Sequence, residues 1–219
     1  MPRTRNIVVI AALKEEADAL YAGRGDWGKI GYLNVRTVAL PRTTVHIAET
    51  GIGKVNTAAA AALLVPHFDA ELIALTGTCG MIGQRSETCF WIADAVQSDY
   101  GAERPGHFEH YTAGEWPLGP AKVTPFVAMK DPGLGLPHAR MASGDAFIEC
   151  PVEARFLSEG LSADIVDMEA GALGQVAARM GVPWAGIKAT TDDCNTNSVD
   201  SFHANLLAAS ARAAAAMER

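Results

Sequence analysis

Continuous apolar runs alternate with Ala-rich or amphipathic segments along most of the chain. Apolar, β-branched runs are typical of strands that are covered on both faces. They predict strands at 6–12, 34–40, 44–49, 71–76, 90–96, 140–143, 165–167 and 184–190. The segments between them predict helices at 15–21, 54–64, 151–159, 168–180 and 202–217. This alternation favours an α/β fold with a largely parallel sheet.

The pattern weakens between residues 98 and 138, where prolines and glycines recur at short intervals. This stretch predicts loops with one strand at 122–129. Long irregular stretches inside compact domains are often functional. The sequence shows no internal repeat, low-complexity tail or linker, so we expect one domain over residues 1–219.

Composition and charge exclude several classes of partner. Apolar residues make up 49% of the chain and charged residues 20%, so we expect a folded protein. The net charge is −7, so we expect no basic surface that would bind nucleic acid or anionic membranes. The apolar run at 7–13 is too short to span a membrane. The four cysteines and six histidines show no metal-ligand spacing, so we expect no metal site. Scattered cysteines suit reduced thiols in the cytoplasm.

Polar and glycine-rich segments directly follow the predicted strands. These segments are 12–16, 51–54, 77–80, 167–169 and 191–193. In open α/β sheets, ligands bind beyond the carboxyl ends of the strands. We therefore expect these five segments to line one crevice.

Two glycine-rich segments each allow two interpretations. Gly51-Ile-Gly-Lys lacks the remaining residues of a P-loop or a dinucleotide fingerprint, because Val55 follows the lysine and Asn56 stands where a third glycine is needed. The pair Gly77 and Gly80 permits a bend that aims Thr78 at a ligand oxygen. The functional interpretation of the first segment is a close approach of its backbone to a ligand. The alternative for both segments is a plain tight turn, which is favoured for the first.

Acidic residues in these segments are the main candidates for chemistry. Glu16 and Glu169 each fall near a predicted helix start, where the dipole alone favours an acid. Glu169 could also accept hydrogen bonds from sugar hydroxyls. Asp192 and Asp193 should point to opposite sides of an extended chain, so only one should face the crevice. No electropositive neighbour is evident that would make a cysteine nucleophilic.

The order of six motifs along the chain resembles the purine nucleoside phosphorylase/uridine phosphorylase superfamily, and most of all its 5′-methylthioadenosine/S-adenosylhomocysteine nucleosidase branch. The motifs lie at 10–16, 51–56, 76–80, 143–148, 166–170 and 188–192. Ser-Gly-Asp-Ala-Phe-Ile at 143–148 and Val-Asp-Met-Glu-Ala at 166–170 are the specific ones. The resemblance implies a single three-layer α/β/α domain with a mixed, partly barrel-like sheet, usually a homodimer, that cleaves an N-glycosidic bond without a cofactor.

The resemblance also assigns a role to each of three carboxylates. Asp192 falls at the acid that protonates purine N7, Glu16 at the group that orients the attacking water, and Glu169 at the ribose hydroxyls. The chemistry needs these types, because adenine leaves poorly as an anion and the sugar becomes oxocarbenium-like. The remaining matched positions surround the substrate: Met168 at the ribose, Phe147 and the backbone of Ile148 at the base, Thr78 near the water and ribose, and Ile52 and Phe202 near the 5′ substituent.

Three other functions stay open at this point. Phosphorolysis needs a cationic cradle for phosphate, yet Leu75 stands where the similar phosphorylases carry an arginine, and residues 12–16 lack their early Gly-Asp-Pro motif. A related hydrolase, such as one resembling futalosine hydrolase, would act on a different 5′ substituent. A catalytically inactive nucleoside-binding protein is disfavoured, because Glu16, Glu169 and Asp192 are all kept.

Overall fold

Strands and helices alternate along residues 4–219, the part of the chain that the computed structural model describes. The strands are β1 (Arg5–Ala11), β2 (Trp27–Ile30), β3 (Leu33–Ala39), β4 (Thr43–Glu49), β5 (Leu72–Met81), β6 (Cys89–Gln97), β7 (Gly101–Arg104), β8 (His107–His110), β9 (Phe126–Val127), β10 (His138–Ser143), β11 (Ile165–Asp167) and β12 (Trp184–Asp192). The helices are α1 (Lys14–Ala19), α2 (Lys54–His67), α3 (Pro151–Leu161), α4 (Ala170–Met180) and α5 (Ser198–Met217). The eight predicted strands and five predicted helices are therefore present, with shifted ends.

A ten-stranded mixed sheet forms the centre of the fold. Its main path runs β11-β10-β6-β12-β5-β1-β4-β3-β2, and a further pairing of β11 with β5 closes β5, β12, β6, β10 and β11 into a ring. β12 is parallel to β5 but antiparallel to β6, and β11 is parallel to β10 but antiparallel to β5. The expectation of a largely parallel sheet is wrong in this respect, whereas the mixed, partly barrel-like sheet is confirmed.

Helices cover both faces of this sheet and give the expected three layers. α2 and α4 pack together on one face, where Leu64 and Leu173 join the core around β1, β5 and β6. α1 and α5 pack on the other face, where Leu20 and Ala213 join the core around Ile47 and Ile187. The alanines of α5 let this helix approach the sheet closely. In residues 4–219, no helix has the length and apolar character needed to cross a membrane.

Strand β5 differs most from the sequence prediction. Residues 77–80 were expected to turn away from the strand, but they continue it to Met81. They stay extended because they pair with β12, with Gly77 opposite Lys188 and Cys79 opposite Thr190. The glycines in this segment therefore serve another purpose than a turn.

Short exposed elements were missed by the sequence analysis. The β7–β8 hairpin lies in the stretch predicted as loops, and β2 adds an edge strand next to β3. β9 forms only two residues of the strand predicted at 122–129. α5 begins at Ser198, four residues before its predicted start, whereas α4 begins at Ala170, two residues after its own.

Candidate active site

One cavity of about 430 Å³ opens at the carboxyl ends of β1, β5, β11 and β12. The 146–148 loop and the first turns of α5 close its sides. All nine residues singled out from the sequence line it: Glu16, Ile52, Thr78, Phe147, Ile148, Met168, Glu169, Asp192 and Phe202. The expected crevice therefore exists, and it brings together residues that lie up to 186 positions apart in the chain.

Glu16 is held by four donors at the floor of the cavity. The backbone N–H groups of Ala12 and Leu13 donate to Oε2, each at 3.0 Å. Thr78 donates to Oε1 through both its N–H, at 2.8 Å, and its hydroxyl, at 2.9 Å. The side chain is 2% exposed. Donors on every side suit an ionised carboxylate and fix its orientation.

Gly77 makes this position of Glu16 possible. A Cβ at residue 77 would lie 2.5 Å from Oε1 of Glu16, and the backbone φ is +141°. Only glycine leaves room for the carboxylate to lie against β5. The sequence singles out Gly77 as part of a bend or a turn, because a contact with a residue 61 positions earlier leaves no local pattern.

Gly77→Ala is expected to lower kcat by about 10- to 100-fold, because a methyl group at this point pushes the Glu16 carboxylate out of place. The overpacking should also cost about 1–3 kcal/mol of stability. Steady-state kinetics and urea unfolding measure the two effects. Gly160→Ala is the matched control, since a Cβ there meets nothing within 4 Å. Unchanged kinetics in Gly77→Ala would show that this close approach is not needed.

A buried lysine binds two of the cavity carboxylates. Nζ of Lys188 lies 3.1 Å from Oδ2 of Asp167 and 3.1 Å from Oε2 of Glu169. Although burial opposes a charged ammonium, the two carboxylates together raise the pKa of Lys188. Burial raises the pKa of Glu169, and Lys188 opposes that rise. Lys188 was not among the predicted site residues, although a lysine inside the apolar run 184–190 signals a buried ion pair.

Glu169 is also bound by the first glycine-rich segment. The N–H of Gly53 donates to Oε1 of Glu169 at 3.1 Å, with φ of +101° at Gly53. Asp167 accepts from the N–H of Ala170 and so caps α4. The segment 51–54 is therefore a tight turn, and its backbone also holds a residue of the cavity. Its interpretation as a backbone contact to a ligand stays a prediction.

Lys188→Met is expected to destabilise the protein by about 3–5 kcal/mol, since it leaves two buried carboxylates without their cation. It also raises the pKa of Glu169 further. A carboxyl group whose pKa is raised in the folded state favours folding only at pH values below that pKa. The loss of folding stability in Lys188→Met should therefore be larger at about pH 8 than at about pH 5. Urea unfolding at both pH values tests this. Lys130→Met on the surface is the control, and equal stability of the two variants would contradict the expectation.

Asp192 ends β12 with its carboxylate in the cavity. The hydroxyl of Thr191 donates to Oδ2 at 2.8 Å, and the N–H of Cys194 donates to Oδ1 at 3.0 Å. Asp192 is buried whereas Asp193 is exposed, as the alternation along an extended chain predicts. A register shift between Thr190 and Asp192 marks this end of the strand. One aspartate of the pair is thus available for chemistry.

The two cysteines of the cavity are poor nucleophiles. Burial raises the pKa of Cys79 and of Cys194, and the nearby carboxylate of Asp192 raises that of Cys194 further. Both thiols are free. Because the thiolate is the reactive form, these shifts disfavour covalent catalysis by cysteine.

Three charged residues fix the loop that carries Phe147 and Ile148. Asp145 accepts from the N–H of Lys54 at 2.8 Å, and Nζ of Lys54 binds Asp99 at 2.6 Å. Asp99 in turn accepts from the N–H of Asp145 at 3.0 Å. These contacts have no signal in the sequence, because the three residues come from three separate segments.

The lining of the cavity is strongly asymmetric in charge. It contains four carboxylates: Glu16, Asp167, Glu169 and Asp192. Within residues 4–219, the lining includes no lysine or arginine, and Lys188 behind it is bound to two carboxylates. An incoming phosphate would face like charges with no cationic cradle.

Comparison with known proteins decides the family. The profile of the phosphorylase superfamily matches residues 6–219. The chain belongs to this superfamily. Among curated relatives of this phosphorylase-superfamily protein, the 5′-methylthioadenosine/S-adenosylhomocysteine nucleosidase of Mycobacterium bovis is 30% identical over 189 residues, which cover 73% of each chain. The nucleosidase of the same name from Staphylococcus aureus strain MRSA252 is 26% identical over 209 residues, or 91% of this chain and 92% of that protein.

Solved structures share the fold of the phosphorylase-superfamily protein at lower identity. S-adenosylhomocysteine nucleosidase from Streptococcus pyogenes, in complex with 5-methylthiotubericidin, has a TM-score of 0.84 at 22% identity and covers 98% of this chain and 94% of its own. Futalosine hydrolase from Helicobacter pylori has a TM-score of 0.84 at 18% identity and covers 98% of this chain and 96% of its own. At these identities, the similarity establishes the common fold.

Proposed function

We propose that this phosphorylase-superfamily protein hydrolyses the N-glycosidic bond of purine nucleosides of the 5′-methylthioadenosine/S-adenosylhomocysteine type and releases adenine. The observation that carries the proposal is the single cavity in which Glu16, Glu169 and Asp192 are held separately, each by its own donors. Curated relatives with the corresponding nucleosidase name, at 30% and 26% identity, support the choice of reaction and substrate.

Asp192 acts as the general acid in this proposal. Its carboxyl group gives a proton to N7 of the purine, so that the base leaves as a neutral molecule. Contacts from Thr191 and Cys194 hold both oxygens in position for the transfer. Phe147 packs against the base, and the backbone of Ile148 binds its edge.

Glu16 and Glu169 act on the sugar side. Glu16 orients the attacking water together with Thr78, whose hydroxyl lies 2.9 Å from its carboxylate. Glu169 accepts hydrogen bonds from the ribose hydroxyls, while Met168 contacts the ribose. Positive charge develops on the sugar in the transition state, and two buried carboxylates stabilise it electrostatically. Ile52 and Phe202 form the contact with the 5′ substituent.

Water is the nucleophile in this scheme. Phosphorolysis is the main alternative, but the cavity offers phosphate four carboxylates and, within the described residues, no arginine. Each charged hydrogen bond to phosphate contributes about 1.5–3 kcal/mol, so the loss of such contacts favours hydrolysis strongly.

Base release from nucleosides, followed by chromatography, tests the proposal. Methylthioadenosine, S-adenosylhomocysteine, adenosine, inosine and a futalosine-type nucleoside are each incubated with and without phosphate. We expect adenine and free sugar without phosphate, fastest from the first two substrates. Release that depends on phosphate and yields a ribose 1-phosphate would instead establish a phosphorylase.

We further propose that the protein works as a homodimer in the cytoplasm. Val152 and Phe156 of α3 are 78% and 42% exposed, and with Phe108 and His110 of β8 they border a surface hollow. A second copy of the chain would cover this apolar area. Light scattering should give twice the chain mass, and Phe156→Glu should give monomers. A wild-type monomer at micromolar concentration would refute the dimer.

The free thiols support the proposed location in the cytoplasm. All four thiols are free, as in cytoplasmic proteins.

A further inference from the structure

The open side of the cavity is apolar except for one imidazole. Val199, Phe202 and His203 follow helical spacing on α5, and all three line the cavity. The Phe202 ring lies edge-on to Phe147, with centroids 6.0 Å apart, and edge-on to His203 at 5.7 Å. With the half-exposed Ile52, these side chains form the solvent-facing, apolar part of the lining, where His203 is also exposed.

His203 is basic, whereas the other ionisable groups of the lining are carboxyls and thiols. Four carboxylates occupy the inner part, and within the described residues His203 is the only basic side chain of the lining. An imidazole offers at least one N–H donor in its neutral and its protonated form.

This arrangement fits a 5′ substituent that is apolar near the sugar and carboxylated at its far end. The apolar part of the lining accommodates a thioether and its methylene groups. A carboxylate would find no free cation in the inner cavity, where Lys188 is already bound to Asp167 and Glu169, so its favourable position is beside His203.

We propose that His203 donates a hydrogen bond to the terminal carboxylate of the 5′ substituent and thereby determines specificity for nucleoside 5′-thioethers with an amino-acid chain. The assignment rests on the proposed function, and deepens it by naming the residue that recognises the far end of the substrate. A substrate with a bare methylthio group makes no such contact.

S-adenosylhomocysteine and 5′-methylthioadenosine test this contact, since they share base, ribose and sulfur but differ in the amino-acid chain. His203→Leu removes the donor at similar size, and His203→Lys keeps a donor at the same place. His67→Leu is the matched control, because His67 is an exposed histidine at the far end of α2. kcat/KM is measured for both substrates with each protein.

For His203→Leu, we expect kcat/KM for S-adenosylhomocysteine to fall about five- to twentyfold, mainly through KM. The value for 5′-methylthioadenosine should stay within about twofold. His203→Lys should keep most of the specificity, and His67→Leu should leave both substrates unchanged. Equal losses for both substrates, or no loss for either, would overturn the assignment.

Binding measurements separate this inference from the proposed function. Calorimetry in the Asp192→Asn background, with and without His203→Leu, gives the Kd of the two nucleosides with turnover suppressed. If neither nucleoside is hydrolysed, the proposed function fails, but a selective loss of S-adenosylhomocysteine affinity still supports the His203 contact. If both are hydrolysed and their affinities respond equally to the substitution, only the His203 assignment fails.

Discussion

Asp192→Asn is expected to lower kcat by about 10²–10⁴-fold while the Kd for nucleoside changes little. The amide cannot give N7 a proton, but it fits the same space. Its oxygen can still accept from the N–H of Cys194, as Oδ1 does at 3.0 Å. The Thr191 hydroxyl lies 3.2 Å from the carbonyl oxygen of Cys79, so it can donate there and accept from the new amide. The substitution therefore removes the proton and leaves the fold in place.

Steady-state kinetics measure kcat, and calorimetry with a nucleoside analogue that is not hydrolysed measures Kd for both proteins. Asp193→Asn is the matched control, because Asp193 is the exposed neighbour in the same chain segment. We expect it to retain wild-type kcat. A kcat for Asp192→Asn within about tenfold of wild type would show that another group protonates the base.

Much of the fold could be predicted because its strands are long and buried. The runs at 6–12 and 184–190 have no polar face, and such runs indicate central strands. Strand direction could not be read from them, because the antiparallel pairing of β6 with β12 depends on how distant segments meet. The β7–β8 hairpin was missed because it is partly exposed and lacks a clear apolar alternation.

The lining of the candidate site could be named from motifs, but its supporting contacts could not. Ordered motifs located Glu16, Glu169 and Asp192, and the sheet brings them into one cavity. The contacts of Lys188 and Gly77 join residues that are far apart in sequence, so no spacing reveals them. The sequence does not show which backbone groups and which opposite charges hold each carboxylate.

Glu16→Gln should lower both activity and stability, in contrast to Asp192→Asn. Four donors face the Glu16 carboxylate, two on each oxygen. Whichever way the amide is turned, its NH₂ group meets at least one backbone N–H that then loses its acceptor. A buried unsatisfied group costs about 1–3 kcal/mol. The Thr78 hydroxyl could reverse its hydrogen bond, as the Thr191 hydroxyl can in Asp192→Asn, but the three backbone donors to Glu16 cannot.

Activity should fall in the same variant by about 10²–10⁴-fold, because the attacking water loses the acceptor that orients it. Kinetics well below the unfolding temperature keep this loss separate from the loss of stability, which urea unfolding measures. Glu15→Gln is the control, since Glu15 precedes Glu16 in α1 and is exposed. If Glu16→Gln were destabilised yet hydrolysed substrate at the wild-type rate, the role of Glu16 would be structural only. Another acceptor of the cavity would then have to orient the water, and Glu169, which is also a glutamate, would be the first candidate.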